Sequence, residues 1–167
     1  MAAMDPESLS VWYEAYSSRL RLYARNWLAD EAAQDAVQSA FVRLMAQGIT
    51  PRDVQAWLFR TVRNEAITRL RQQQRVARLN GPLVDQQEPW FEGHVEDLID
   101  GRAAQQILMD LPDVQREVVL LRIWGQMSLQ QVSQVVGSPL TTIHSRYKAA
   151  LAAIRERMEH PCKKTLD

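Results

Sequence analysis

The sequence is poor in the residues and runs that mark several classes of protein. Its 167 residues contain one cysteine, Cys162, and three widely separated histidines. A single thiol excludes an internal disulfide framework and fits a reducing cytoplasm, and the histidines lack the spacing of metal ligands. No apolar run approaches the roughly 18 residues that a membrane span requires. The acidic start, Met1 to Ser10, lacks the apolar core of a secretory signal. We therefore expect a cytoplasmic protein without membrane insertion, metal or cofactor.

The net charge is zero, but the charges are unevenly distributed. Residues 1–78 carry 11 basic residues against 8 acidic ones, and residues 102–167 carry 9 against 6. Between them, residues 80–101 contain 6 acidic residues and no basic one. Two mildly basic segments around an acidic one suggest two polyanion-binding modules joined by a linker of a different character.

Apolar residues recur at helical spacing through most of the chain. They predict a first domain over residues 8–78 with helices at 9–28, 30–47 and 52–78. The predicted apolar positions of the second helix include Ala33, Val37, Ala40, Phe41 and Leu44. Turn residues and acidic side chains predict a linker over residues 79–101 that ends in a helical turn around residues 95–99. The helices predicted for a second domain, residues 102–160, span 103–110, 111–124, 129–136 and 140 onwards. The predicted fold class is all-α: two small helical domains joined by an acidic flexible linker.

The stretch MSLQQVSQVVGSPLTTIHSRYKAAL, residues 127–151, has the pattern of a helix-turn-helix. Ser128 and Gln131 form a capping box that starts a short helix, which Gly137 ends. Ser138 is predicted to cap the next helix and Pro139 to occupy its first position. The inward stripe of that helix is predicted to be Leu140, Ile143, Tyr147, Leu151 and Ile154.

In a helix-turn-helix the second helix enters the major groove of DNA. The polar residues that would face the groove are Thr141, Thr142, His144, Ser145, Arg146 and Lys148. Arginine can bond guanine with two hydrogen bonds, whereas Lys148 suits a phosphate. The alternative is a surface helix of an αα-hairpin with ordinary polar residues.

The segment PRDVQAWLFRTVRNEAITRLRQQQR, residues 51–75, predicts a helix with one apolar face and one basic face. From residue 51 to 78 there are seven basic residues and two acidic ones. The two acidic residues are too few to pair with all of the arginines. A basic helix bordered by an aromatic residue suits a nucleic-acid backbone with a ring available for stacking. For Trp57 alone, a core position is the more frequent role.

Three blocks of the chain resemble the extracytoplasmic-function sigma factors of bacterial RNA polymerase. They are AAQDAVQSAFVRLM (32–45), AWLFRTVRNEAITRLR (56–71) and LPDVQREVVLLRIWGQMSLQQVSQVVGSPLTTIHSRYKAALAAIRERM (111–158). The resemblance implies that residues 8–78 are sigma region 2, which binds core polymerase and recognises and melts the −10 element. It implies that residues 102–160 are sigma region 4, which recognises the −35 element.

The same resemblance implies site residues and partners. The −10 residues would be Arg52, Trp57, Arg60, Arg63, Asn64, Ile67 and Arg71. The polymerase-binding residues would be Asp35, Gln38, Phe41 and Arg43. The implied partners are the largest and second-largest subunits of core RNA polymerase and promoter DNA. An anti-sigma protein is a further partner that family habit favours, and the free protein would be a monomer.

Two residues depart from the family pattern. His144 stands where lysine or arginine is common, and Ser133 stands where alanine usually packs between the two helices.

Two other functions remain open from the residues alone. One is a helix-turn-helix regulator that is not a polymerase subunit. The other is an enzyme, but no phosphate-binding loop or carboxylate constellation is present, and we predict no catalytic residue. His144 and Ser145 point about 100° apart on a helix and cannot act as a nucleophile–base pair.

Overall fold

The computed structural model describes residues 4–80, 90 and 95–160, with the backbone alone over residues 95–100. The regular elements in these residues are helices, which confirms the predicted all-α class. Apart from residues 134–137, the chain divides near residue 88 into two compact units. None of the helices in the described part of the chain is long and apolar enough to cross a membrane.

The first unit contains three helices, α1 (Pro6–Ala24), α2 (Asp30–Ala46) and α3 (Val54–Asn80). The Asp5 carboxylate accepts a hydrogen bond from the backbone N–H of Glu7 and caps α1. Gly48 follows α2 with a φ of +67°, a left-handed conformation that suits glycine and confirms the predicted end of this helix. Asp53 accepts a 2.9 Å hydrogen bond from the Ala56 N–H and starts α3.

The core of the first unit lies where the three helices meet. Five predicted core positions of α2 are buried, namely Ala33, Val37, Ala40, Phe41 and Leu44. The sequence predicts an apolar face of α3 formed by Val54, Leu58, Val62, Ala66 and Leu70. Of these, Leu58, Val62 and Ala66 are buried, and so is Phe59, which lies outside that predicted face. The Phe59 ring lies 5.4 Å from the ring of Tyr23 on α1. Burying one such side chain contributes about 1.5–3 kcal/mol.

The first helix ends earlier than predicted. α1 stops at Ala24, and Trp27 lies in the turn that follows, where its ring packs edge-on against Tyr23 at 5.0 Å. The Arg21 guanidinium holds the Asp30 carboxylate at the start of α2 through two hydrogen bonds, one of them 2.7 Å from Nε to Oδ1. This ion pair ties α1 to α2.

The second unit contains α4 (Val95–Met109), α5 (Asp113–Val119), a π-helical segment (Leu120–Trp124), α6 (Leu129–Val136) and α7 (Leu140–Glu159). Helix α4 begins inside the segment predicted as the linker. Residues 81–89 and 91–94, which hold Asp85, Glu88 and Glu92, lie outside the described residues. The buried guanidinium of Arg116 donates to the backbone oxygens of Met109 and Leu111 and to Asp113, and so fixes the turn between α4 and α5.

The helix predicted over 111–124 changes type before its end. Gly125 donates a 2.9 Å hydrogen bond to the Leu120 oxygen, five residues back, as π-helical geometry requires. A Cβ added at Gly125 would lie 2.4 Å from the backbone oxygen of Leu121, so only glycine fits. Gln126 then takes a φ of 54°, and Met127 is fully buried. This close turn leads into α6.

Candidate nucleic-acid and polymerase surfaces

The capping box predicted for α6 is present. The Gln131 N–H donates a 3.1 Å hydrogen bond to the Ser128 hydroxyl oxygen. The Ser128 N–H donates a 2.9 Å hydrogen bond back to the Gln131 side-chain oxygen. The two bonds satisfy backbone donors that a helix start leaves free. Gly137, with a φ of +76°, then ends the helix as predicted.

The start of α7 differs from the prediction. The N-cap position is Pro139, not Ser138, and no side chain caps this helix. The Ser138 backbone oxygen instead accepts a 2.6 Å hydrogen bond from the Ser133 hydroxyl. The Ser138 hydroxyl accepts a 3.4 Å hydrogen bond from Nη1 of Arg146. The backbone oxygen of Ser138 therefore closes the turn, and its hydroxyl contacts Arg146 instead of capping α7.

The inward stripe of α7 is narrower than predicted. Ile143 is fully buried, and Tyr147 and Ile154 are half-buried. Leu140 and Leu151 are exposed, at 42% and 38%. At about 100° per residue they lie roughly 60–80° away from Ile143 around the helix. The fully buried Ala150 lies within about 20° of Ile143 and takes the place expected for Leu151.

The predicted DNA residues of α7 fall into two groups. Thr141, His144, Ser145 and Lys148 are exposed and lie together on the face away from Ile143. Thr142 and Arg146 are half-buried and lie at the edge of that face. The helix thus presents one compact polar surface, with the arginine held at its border by Ser138.

The predicted −10 residues form a row along α3, which we name the arginine row. Trp57, Arg60, Asn64, Ile67 and Arg71 lie within about 80° of one another at 100° per residue. Arg60, Asn64 and Arg71 are exposed, whereas Trp57 and Ile67 are half-buried. Arg63 is half-buried beside the row, and Arg52 is exposed just before the helix.

The single acidic residue of α3 faces away from the arginine row. Glu65 pairs with Arg43 of α2 at 2.8 Å and with Arg69 at 2.9 Å. Among the described residues, neither Arg60 nor Arg71 has an acidic partner within ion-pair distance. The row therefore keeps its positive charge available for a polyanion.

Helix α2 carries the residues predicted to bind polymerase. Asp35, Gln38 and Arg43 are exposed. Phe41 is only 5% exposed, and its ring packs edge-on against Tyr13 at 5.1 Å, so this ring supports the position of α2. The four residues are therefore not one continuous surface.

The outer face of α2 also contains two apolar residues that sequence reasoning did not single out. Val42 is 63% exposed and Met45 is 57% exposed. At helical spacing both lie opposite the buried line of α2, beside Asp35 and Gln38. Their position in the helical period could have identified them from the sequence, because neighbouring apolar residues on the outer face of a helix indicate an interaction site.

No group of three or more metal-ligating side chains comes together within the part of the chain that the structure describes. The surfaces found here offer exposed cations, hydroxyls and apolar side chains. Such groups are suited to binding.

Two family models match the chain, each over one of the two units. Residues 12–76 match Sigma-70 region 2, and residues 101–154 match Sigma-70 region 4. The first match covers most of α1, all of α2 and nearly all of α3. The second covers the helix-turn-helix and most of α7.

Curated relatives and solved structures agree with these matches. The chain is 33% identical to an RNA polymerase sigma-E factor of Streptomyces avermitilis, over 76% of this chain and 71% of the relative. It is 27% identical to the ECF RNA polymerase sigma factor SigW of Bacillus subtilis, over 78% and 75%. The fold resembles that of the sigma factor RpoE in complex with the anti-sigma factor NepR from Bartonella quintana. That TM-score is 0.72 at 22% identity, with 92% of this chain and 98% of the other covered.

Proposed function

The chain belongs to the extracytoplasmic-function sigma factors of the sigma-70 family, and we propose a division of work between its two units. Residues 8–78 bind core RNA polymerase and recognise and melt the −10 element. Residues 102–160 recognise the −35 element. Residues 79–101 are the acidic linker between them.

One observation carries this proposal. Each unit presents a polar or basic helical surface, and each of these surfaces lies within one of the two matched sigma regions. A regulator that acts without polymerase has no need for the first surface. A sigma factor uses both surfaces.

The arginine row on α3 is suited to holding an opened −10 strand. Extruding a base from duplex DNA costs a few kcal/mol. Arg60, Arg63 and Arg71 supply phosphate contacts, and the Asn64 amide can bond a base edge. Trp57, half-buried at the start of the row, supplies a ring on which a base can stack. Together these contacts offset the cost of extrusion.

The outer face of α2 is the proposed contact with the largest polymerase subunit. Asp35 and Gln38 supply polar contacts around the apolar side chains of Val42 and Met45. An apolar centre with a polar rim is the usual arrangement of a protein interface. Arg43 lies on the flank of α2, where Glu65 fixes its direction.

Helix α7 is the proposed −35 reader. Arg146 suits a guanine in the major groove, and Lys148 suits a phosphate that fixes the register. The exposed His144 lies at one edge of the polar face, about 40° around the helix from Lys148, and reaches the groove from there. Because histidine both donates and accepts, it can select a different base from the lysine or arginine common in the family.

The remaining partners follow from the same proposal. The second unit also contacts the second-largest polymerase subunit. An anti-sigma protein is a further partner by analogy with the solved complex of RpoE with NepR and with that of CnrH and the cytosolic domain of CnrY. The protein acts in the cytoplasm as a binding subunit, as a monomer before it meets polymerase, and its own residues catalyse no reaction.

Run-off transcription with purified core polymerase and a promoter library tests the proposal. We expect specific transcripts that depend on this chain and share −10 and −35 motifs. A matched reaction contains a variant in which Asp35 and Arg43 are both replaced by alanine, which should bind core less tightly. Binding to promoter duplex without any binding to core would favour the helix-turn-helix regulator instead.

A further inference from the structure

The arginine row continues beyond the residues predicted to read the −10 element. Arg75 and Arg78 follow Arg71 at steps of four and three residues, so all three side chains lie within about 60° on one side of α3. All three are exposed. With a rise of about 1.5 Å per residue, the distance from Arg71 to Arg78 along the helix is about 10.5 Å.

This end of α3 lies outside the core of the first unit. From Arg71 to Asn80 every residue is exposed except Ala77, which is half-buried. Leu79 is 81% exposed and Val76 is 49% exposed. The helix therefore extends for more than two turns with little support from packing, and its side chains are available to a partner.

The charge on this end is of one sign. Residues 66–80 contain four arginines and no acidic residue. Arg69 points away from the row and contacts Glu65 and Asp35. Within the described residues, Arg71, Arg75 and Arg78 have no acidic partner at ion-pair distance. Like charges at these spacings repel and destabilise a helix slightly, and a bound polyanion relieves that repulsion.

We propose that Arg75 and Arg78 bind duplex DNA phosphates beside the −10 element, as an extension of the contact made by Arg71. Phosphates follow one another along a DNA strand with an axial rise of about 3.4 Å each and lie farther apart through space, so long arginine side chains spread over about 10.5 Å of helix can reach a few neighbouring phosphates of one strand. The contact is independent of base sequence because it reaches the backbone alone. It rests on the proposed role of the arginine row and adds to the binding energy available for melting.

The alternative occupant is polymerase itself, which could cover Val76 and Leu79 on the adjoining side of the same helix. The arginines favour DNA, since three guanidinium groups in a line, without acidic partners among the described residues, match a phosphate backbone better than an apolar protein surface.

The test uses holoenzyme assembled from core polymerase and the full chain. In the double variant Arg75→Ala, Arg78→Ala, we expect the slope of log affinity against log salt to fall by about 1.8, or 0.9 for each lost contact. Between 50 and 200 mM salt, wild-type affinity should therefore drop about 12-fold more than that of the variant. The change should be the same on promoters with different sequences next to the −10 element.

Two variants and one separate measurement complete the design. Arg75→Lys, Arg78→Lys should keep the wild-type slope, and Gln74→Ala on the same turns should do so too. An unchanged slope in the alanine variant overturns the proposal, as does a loss explained fully by weaker binding to core. Core binding and run-off activity of the wild-type chain are measured first, so a failure of the sigma function itself is recognised independently.

Discussion

The hydroxyl of Ser133 donates a 2.6 Å hydrogen bond to the backbone oxygen of Ser138 and ties the end of α6 to the start of α7. The Ser138 hydroxyl in turn receives Nη1 of Arg146 at 3.4 Å. The turn of the helix-turn-helix and the arginine proposed to read the −35 element are therefore connected through one residue.

Ser133→Ala should destabilise the second unit by about 0.5–1.5 kcal/mol, since the hydrogen bond is lost and the half-buried Ser138 oxygen is only partly solvated. Urea unfolding followed by helical circular dichroism measures the change. Ser18→Ala, at an exposed position of α1, is the control and should leave the urea midpoint of unfolding unchanged. Equal midpoints for the two variants would contradict the structural role of Ser133.

Arg146→Ala should weaken binding at one −35 position in particular. Loss of a bidentate contact with guanine costs about 1–3 kcal/mol and relaxes the preference at that base pair. Lys148→Ala should weaken binding to all −35 sequences by a similar factor, since a phosphate contact carries no sequence information. Holoenzyme affinity across a −35 library separates the two patterns. Core binding should be unchanged in both variants.

Asp35→Lys should weaken core binding about 10-fold, equivalent to about 1.4 kcal/mol, while duplex binding by the second unit is retained. The side chain is 58% exposed, and its contact with Arg69 is long, at 3.9 Å. Folding should therefore depend little on this residue. Glu14→Lys, an exposed charge reversal on α1, controls for net charge. If both variants bind core equally well, the outer face of α2 is not the polymerase contact.

Asp30→Asn should reduce stability at pH 7 and have little effect in acid. The hydrogen bonds from Arg21 lower the pKa of Asp30 below its ordinary value of 3.8; partial burial opposes this shift, and the charges of Arg21 and Arg25 add to it. A carboxyl whose pKa is lower in the folded state stabilises the fold above its unfolded pKa. That contribution is lost as the pH falls through the folded pKa.

We therefore expect the Asn variant to be less stable by up to about 1 kcal/mol at pH 7, with the difference shrinking below pH ~4. Urea midpoints at pH 7, 5 and 3 measure it. Asp35→Asn, at an exposed site on the same helix, is the matched control and should lower the stability at pH 7 by less than Asp30→Asn does. A difference for Asp30→Asn that persists unchanged at pH 3 would show that the ion pair is not its cause.

Substitutions at two glycines should separate a steric requirement from a conformational one. Gly125→Ala and Gly125→Asn should both destabilise the second unit by about 1–3 kcal/mol, because any Cβ collides with the Leu121 oxygen. Gly137 has open space around it and a φ of +76°. Asparagine tolerates the left-handed conformation, so Gly137→Asn should cost less than Gly137→Ala. Equal effects of alanine and asparagine at Gly137 would contradict this assignment.

Local sequence signals predicted the ends of several elements well. Ser128 with Gln131 and the glycines at 48 and 137 each act within a few residues, so the pattern alone is enough to place them. The end of α1 was predicted too late because Trp27 fits a helical period. In the folded chain its ring packs on Tyr23 from a turn instead.

The site surfaces were predictable as faces and less so as individual side chains. The arginine row followed from spacing and charge, because period and composition determine which side of a helix is basic. The contact of the Phe41 ring with Tyr13 could not be predicted from α2 alone, since it depends on the position of α1. The exposure of Leu151 likewise depended on the narrow contact made by Ile143 and Ala150.

The sequence by itself determined the helices, the capping box, the charge pattern and the family, because all of these depend on residue types at fixed spacings. Only the tertiary structure decided the partners of individual side chains. It paired Glu65 with Arg43 and Arg69 and left Arg60 and Arg71 without acidic partners among the described residues. It turned Ser138 away from capping α7 and toward Arg146. These pairings depend on contacts between residues on different helices or several turns apart, and spacing along the chain does not specify them.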